Sequence, residues 1–281
     1  MLCCPNLSYP LFYYFSAKIF ETIPNTRVMS EPNSFLFTWN LYLRGEVSLS
    51  EYEKILDSTF RLQCKKEKNI NRIIIKLPMC ATSTLSYLKA TYPKIQLLFI
   101  TRHPLSSFRS YDKLWTILPV SGAIGFLTDV NEFRSKNYPI PVNDLDWWER
   151  YREVLEEGCT LNQQVAMTRV FFFNYWCVMD AYVKNKEMYD YNIFYEDLVK
   201  KPSEIIAEVF SKLDISAQHL PDALKALKGD SQKGFFKGGY TDKDLPKVID
   251  LMNKKFKEYK VPITVDMPMN EFRLLIDNNN N

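Results

Sequence analysis

Histidine, metal-spaced cysteine and one-sided charge are all scarce in this sequence. Its 281 residues hold two histidines, His103 and His219, and six cysteines, Cys3, Cys4, Cys64, Cys80, Cys159 and Cys177, with no CxxC pair. That spacing argues against a structural zinc site and against a dense disulfide framework. The cysteines read instead as buried or free thiols of a reducing compartment. Lysine and arginine number 36 against 33 acidic residues, a formal net charge of +3. So weak a bias does not suggest nucleic acid, whose binders concentrate charge on one face, but it is compatible with a local basic pocket for an anionic small molecule. No apolar run reaches the roughly 18 residues of a membrane span. The apolar, aromatic stretch from Leu11 to Phe20 follows Pro5 and Pro10 and lacks a basic start and a small-residue cleavage site. A secretory leader therefore fits poorly, and the cytoplasm is the expected location. No GxxxxGK[ST] stretch occurs, which disfavours a nucleoside triphosphatase or kinase.

What is present suffices for one large core, with 46% hydrophobic and 15% aromatic residues. The expected organisation is a single domain over 1–277 and a disordered asparagine tail over 278–281. Short β-rich runs alternate with helical patterns: strands at Thr26–Met29, Arg72–Lys76, Gln96–Thr101 and Tyr191–Tyr195, and helices at Glu51–Cys64, Pro104–Leu114 and Ser203–Leu213. Such alternation predicts an α/β fold of three layers, α/β/α, around a central parallel sheet of about five strands. The stretch of about 121–158 is irregular, with Trp147-Trp148, and reads as an insertion over the sheet's carboxyl edge. From Thr160 to Asn185 the pattern predicts a long helix whose crowded aromatics serve core packing. In open parallel sheets ligands bind beyond the carboxyl ends of the strands. The segments to inspect are therefore Ser30-Glu31, Lys76–Met79, Arg102–Ser110 and Glu196-Asp197.

Within them one spacing stands out. An apolar strand, Leu97-Leu-Phe-Ile-Thr101, ends in Arg102; His103-Pro104 follows, and Ser110 lies eight residues beyond the arginine on the expected helix. A guanidinium at a strand end offers a fork of donors to phosphate oxygens, and a hydroxyl two helical turns on can reach the same group. Spacing alone equally allows an arginine that closes a strand beside an incidental serine.

The order of several such motifs resembles the sulfotransferases that use PAPS, 3′-phosphoadenosine 5′-phosphosulfate. Arg102 and Ser110 match that family's strand-Arg-Pro-helix-Ser element for the 3′-phosphate. Tyr195-Glu-Asp-Leu198 with Pro202 is similar to its Tyr-Glu-Asp strand end, whose tyrosine lies near the adenine. Lys233 and Gly234 match its phosphate loop, with Gln232 in place of an arginine. Arg72-Ile-Ile-Ile-Lys-Leu-Pro78 resembles the strand whose lysine, here Lys76, approaches the transferring sulfonate. The family's histidine base after that lysine has no counterpart, and neither histidine of the chain lies at a matching position. His103 reads as a loop residue where the family has asparagine. Glu31, at a strand's carboxyl end, is the candidate base; the competing reading is a helix-capping or salt-bridged carboxylate.

The resemblance implies a P-loop NTPase-like architecture, PAPS or its product PAP as the bound nucleotide, no metal, and a small-molecule or carbohydrate acceptor. One departure is marked. Where the family has Pro-Lys-Ser-Gly-Thr-Thr, this sequence reads Pro5-Asn-Leu-Ser-Tyr-Pro10. The replacement removes a positive charge, a glycine that lets backbone approach an anion, and one N–H donor. Either of two expectations accounts for it: a degenerate 5′-phosphosulfate loop, or a mis-assigned start of the chain. A catalytically impaired binding protein is the corresponding functional alternative.

Overall fold

Aliphatic runs build the sheet. In the computed structural model, which describes residues 2–3, 18–30, 47–65, 69–77, 82–115, 175, 179, 182–183, 185–228, 243–258 and 262–278, five strands are described. They are β1 (Leu2–Cys3), β2 (Thr26–Ser30), β3 (Arg72–Leu77), β4 (Leu98–Thr101) and β5 (Tyr191–Phe194). All pairings are parallel, in the order β2-β3-β1-β4-β5. The α/β class with parallel strands is therefore as the alternation predicts. Every residue of β4 is buried, as a strand covered on both faces requires.

Side chains alternate between two separate cores. Met29, Ile75 and Phe99 face one side, where they meet Tyr52 and Leu56 of α1 (Leu49–Lys65), Leu88 of α2 (Thr82–Thr91) and Phe108 of α3 (Pro104–Trp115). Met252 of α7 (Leu245–Glu258) and Phe272 of α8 (Met269–Asn278) complete that cluster. Ile74, Leu98, Ile100 and Ile193 face the other side, against Ile206, Val209 and Phe210 of α5 (Pro202–Lys212) and Ala223 of α6 (Leu220–Lys228). Helices thus cover both faces of the sheet.

The strand expected over Tyr191–Tyr195 is one residue too long: Tyr195 is the first residue of α4 (Tyr195–Lys200). The helix α8 runs to Asn278, the first residue of the expected tail. Most of the helix expected over 160–185 and the whole insertion of about 121–158 lie outside the described residues. Of that stretch, Tyr175, Met179, Tyr182, Val183 and Asn185 are described; the first three are buried in the first core, Val183 packs against it, and Asn185 already stands at the N-cap of the following turn.

Local chemistry explains the element ends. Pro104 and Pro202 stand at helix starts, where a missing N–H costs nothing. Asp214 takes a positive φ of 51° after α5. The Ile215 N–H bonds to Phe210 O at 2.8 Å and the Asp214 N–H to Ser211 O at 3.4 Å. This is a Schellman stop, with buried Ile215 packing in the same cluster as Phe210.

At the start of α1, Ser48 and Glu51 form a capping box. The Glu51 N–H donates to Ser48 Oγ at 3.3 Å, and the Ser48 N–H and hydroxyl both donate to Glu51 Oε2 at 2.7 Å. Ser48→Ala is expected to cost about 1 kcal/mol in urea unfolding.

The same helix makes stability depend on acid. Hydrogen bonds from Ser48 hold the Glu51 carboxyl below its ordinary range, and those from Tyr92 and Arg61 do so for Asp57. A carboxyl whose folded pKa is depressed contributes stability above its unfolded pKa and loses it as pH falls through the folded value. The urea midpoint should therefore drop as pH falls below about 4, and Glu51→Gln with Asp57→Asn should flatten that drop. An unchanged acid limb in the double variant would refute this assignment.

Candidate functional site

The strand order creates a switch point. From β1 the chain proceeds to β2 on one side of the sheet, and from the adjacent β4 to β5 on the other side. Between two such strands the outgoing connections diverge and leave a crevice at the carboxyl edge. Arg102 comes directly after β4 at that edge.

Arg102 is 8% exposed, and its Nε and Nη1 are buried with no hydrogen-bond partner among the described residues. Its guanidinium carbon lies 4.4 Å from the centroid of the Tyr195 ring, within cation–π range. Burial lowers the Arg102 pKa, while Tyr195, Glu196 and Tyr175 oppose that shift; an arginine stays charged regardless. The backbone beneath it is fixed, since the hydroxyl of fully buried Tyr175 donates to Arg102 O at 2.6 Å. Burial, with Glu196 adding to it, holds that hydroxyl well above its ordinary pKa.

Glu196 ties the two neighbouring βα turns together. Its Oε1 accepts from the His103 N–H at 3.0 Å and from the Ser106 hydroxyl at 2.8 Å. The carboxylate so caps the start of α3, where negative charge is favoured. His103 is spent on structure: its Nδ1 accepts from the Leu105 N–H at 3.2 Å, which puts the ring proton on Nε2, 2.7 Å from Met267 O. The ring also meets Phe272 edge-on. Next door, Arg273 of α8 bonds Asp197 at 2.6 Å and covers the Phe194 ring. The last helix is thereby anchored to the β5–α4 turn.

Five buried side-chain polar atoms lack a partner among the described residues: Arg102 Nε and Nη1, Ser107 Oγ, Asn192 Nδ2 and Glu196 Oε2. Arg102 follows β4 directly, Ser107 lies in the first turn of α3, Asn192 is the second residue of β5, and Glu196 lies in the first turn of α4. Buried polar groups are normally satisfied, so the unfilled donors of Arg102 at the carboxyl edge mark a place for a polar guest. The unfilled donors of Arg102 suit an anion; the free oxygen of Glu196 suits a donor.

Of the expected site residues, Arg102 and Tyr195 are brought together. Lys76 lies in β3, paired with Ser30 on one side and Leu2 on the other, near the same edge. Ser110 lies on α3. Glu31, Gln232, Lys233 and Gly234 fall outside the described residues. Sequence reasoning missed the tethering role of Glu196 and the support from Tyr175. The first had a signal, an acidic residue directly after a strand end. The second was hidden among aromatics that serve the core.

Comparison with known proteins adds little. No family model matches the chain, and no curated protein matches it. Among solved structures it is similar to a sulfotransferase from Alicyclobacillus acidocaldarius, at 9% identity over 97% of each chain with a TM-score of 0.46. A likeness that weak carries no argument here. Among the described residues, no helix is long and apolar enough to cross a membrane, and no group of three or more His, Cys, Asp or Glu could hold a metal ion.

Proposed function

We propose that this chain is a sulfotransferase-like protein that binds the 3′-phosphoadenosine end of PAPS. The observation that carries the reading is Arg102: a buried arginine with unfilled donors at the switch point of a parallel sheet. The motif order from Lys76 through Tyr195 to Lys233-Gly234 supports it. In this reading 1–277 is one sulfotransferase-like domain of P-loop NTPase-like architecture, working in the cytoplasm. Its insertion of about 121–158 lies over the site and selects a small-molecule or carbohydrate acceptor.

Arg102, with Ser110 and the Gln232-Lys233-Gly234 loop, holds the 3′-phosphate. Catalysis is in-line transfer of the sulfonyl group to a hydroxyl or amine. The bond from sulfur to the 5′-phosphate oxygen breaks, a bond from sulfur to the acceptor forms, and the acceptor proton passes to a base. Lys76 offsets charge on the leaving phosphate, and Glu31 takes the proton.

The sequence Pro5-Asn-Leu-Ser-Tyr-Pro10 favours a second reading, a pseudoenzyme that keeps PAP binding. Radiolabelled PAPS with a mixed acceptor panel separates the two. Transfer by the chain as it stands is expected to be weak or absent, and Asn6→Lys, Ser8→Gly and Pro10→Thr together should raise it. Robust turnover without those changes would refute the importance given to the loop; no gain with them would leave the binding protein.

A further inference from the structure

We infer that Tyr195 positions Arg102 for anion binding, and that the ring face turned to Arg102 is not a platform for a nucleotide base. The inference rests on the reading of Arg102 as the phosphate ligand, and it departs from the role that the family resemblance implies for this tyrosine. The guanidinium carbon lies 4.4 Å from the ring centroid, and one face of one ring takes one occupant. Among the described residues no hydrogen bond fixes Arg102 Nε or Nη1, and the ring contact is the one that sets the plane of the fork. Tyr195 can do so because it is anchored: it opens α4 directly after β5 and packs against the core on that face. The next residue, Glu196, bonds the His103 N–H beside Arg102 at 3.0 Å. Residues 195 and 196 together thus tie the β5–α4 turn to the arginine, one through the side chain and one through the neighbouring backbone. An arginine held in advance loses less rotamer freedom when it meets a phosphate. Removing the shelf should weaken any ligand that uses the phosphate, with or without a base.

The experiment compares wild type, Tyr195→Phe and Tyr195→Leu. The ligands are PAP and 1-deoxyribose 3,5-bisphosphate, which is PAP without its base. Calorimetry should show Tyr195→Leu weakening both by about tenfold, the scale of a desolvated cation–π contact, with Tyr195→Phe close to wild type. A loss confined to PAP would make Tyr195 a base platform and overturn the inference. So would a Tyr195→Phe loss as large as that of Tyr195→Leu, or no loss in either.

A readout without ligand keeps the two readings apart. In ¹H–¹⁵N spectra the Arg102 Nε–H signal, assigned with Arg102→Lys, should be shifted upfield by the ring in wild type and Tyr195→Phe, and released in Tyr195→Leu. An unshifted wild-type signal overturns the inference whatever binds. A shifted signal in a protein that binds neither ligand sinks the nucleotide reading and leaves the Tyr195–Arg102 pairing standing.

Discussion

An Arg102→Met variant is expected to lose most of the thermal stabilisation that PAP confers on the wild-type chain. The 3′-phosphate carries nearly two negative charges, and the arginine fork can meet it with two parallel charge-assisted hydrogen bonds. Each contributes roughly 1.5–3 kcal/mol when the partner is charged. Nε and Nη1 are buried and have no partner among the described residues, so a ligand replaces no hydrogen bond described at those atoms. A ligand at 100 times its dissociation constant adds about 2.7 kcal/mol, which a thermal-shift titration resolves. Methionine keeps an unbranched apolar stem and removes a buried charge together with its contacts to the Tyr195 ring and to Glu196. The melting temperature of the ligand-free variant is measured alongside, so that a loss of response is read only from protein that is still folded. Lys233→Ala is expected to lose less, and Ser110→Ala least, about 1 kcal/mol for one ordinary hydrogen bond. Adenosine 5′-phosphate, without the 3′-phosphate, should bind much less well and be nearly indifferent to Arg102. If it matched PAP, or if Arg102→Met kept the full PAP shift, the nucleotide reading would fail.

The largest effect on stability is expected at Phe99. This residue of β4 is 1% exposed, lies stacked on Tyr182 with ring centroids 3.9 Å apart, and meets Tyr189 edge-on at 5.3 Å. Phe99→Ala removes the ring from the middle of a sheet covered on both sides and leaves a cavity that neighbouring strands cannot close. Such changes cost about 3–5 kcal/mol. For a domain of this size that corresponds to a fall in Tm of roughly 10 °C. Leu274→Ala, at an exposed position of α8, should stay within about 0.5 kcal/mol and serves as the control. A Phe99→Ala loss under about 1 kcal/mol would mean that β4 is not packed as described.

Both expectations start from β4, and β4 shows where local pattern ends. The run Leu97-Leu-Phe-Ile-Thr101 can hardly be anything but a buried strand, and Pro104 can start a helix but not continue one. Arg102 at a strand end was therefore readable without coordinates, as were Ile73–Ile75 and most of β5. The helices α2, α6, α7 and α8 were not read at all.

Tyr195 belonged to a plausible β run and became helical. The reason is tertiary: β4 and β5 end in register at Thr101 and Phe194, and past that point the chain has no ladder partner, so it turns into α4. The same register brings Glu196 to the His103 N–H across 93 residues, and His103 reaches Met267 O across 164. Periodicity reports only which face of an element is apolar, and it is blind to which turns become neighbours. The sequence by itself determined the α/β alternation, the strand that carries Arg102 and the motifs aligned with it. Only the tertiary structure decided that Arg102 would rest on Tyr195 with its donors unfilled, because strand order and register place those two turns side by side.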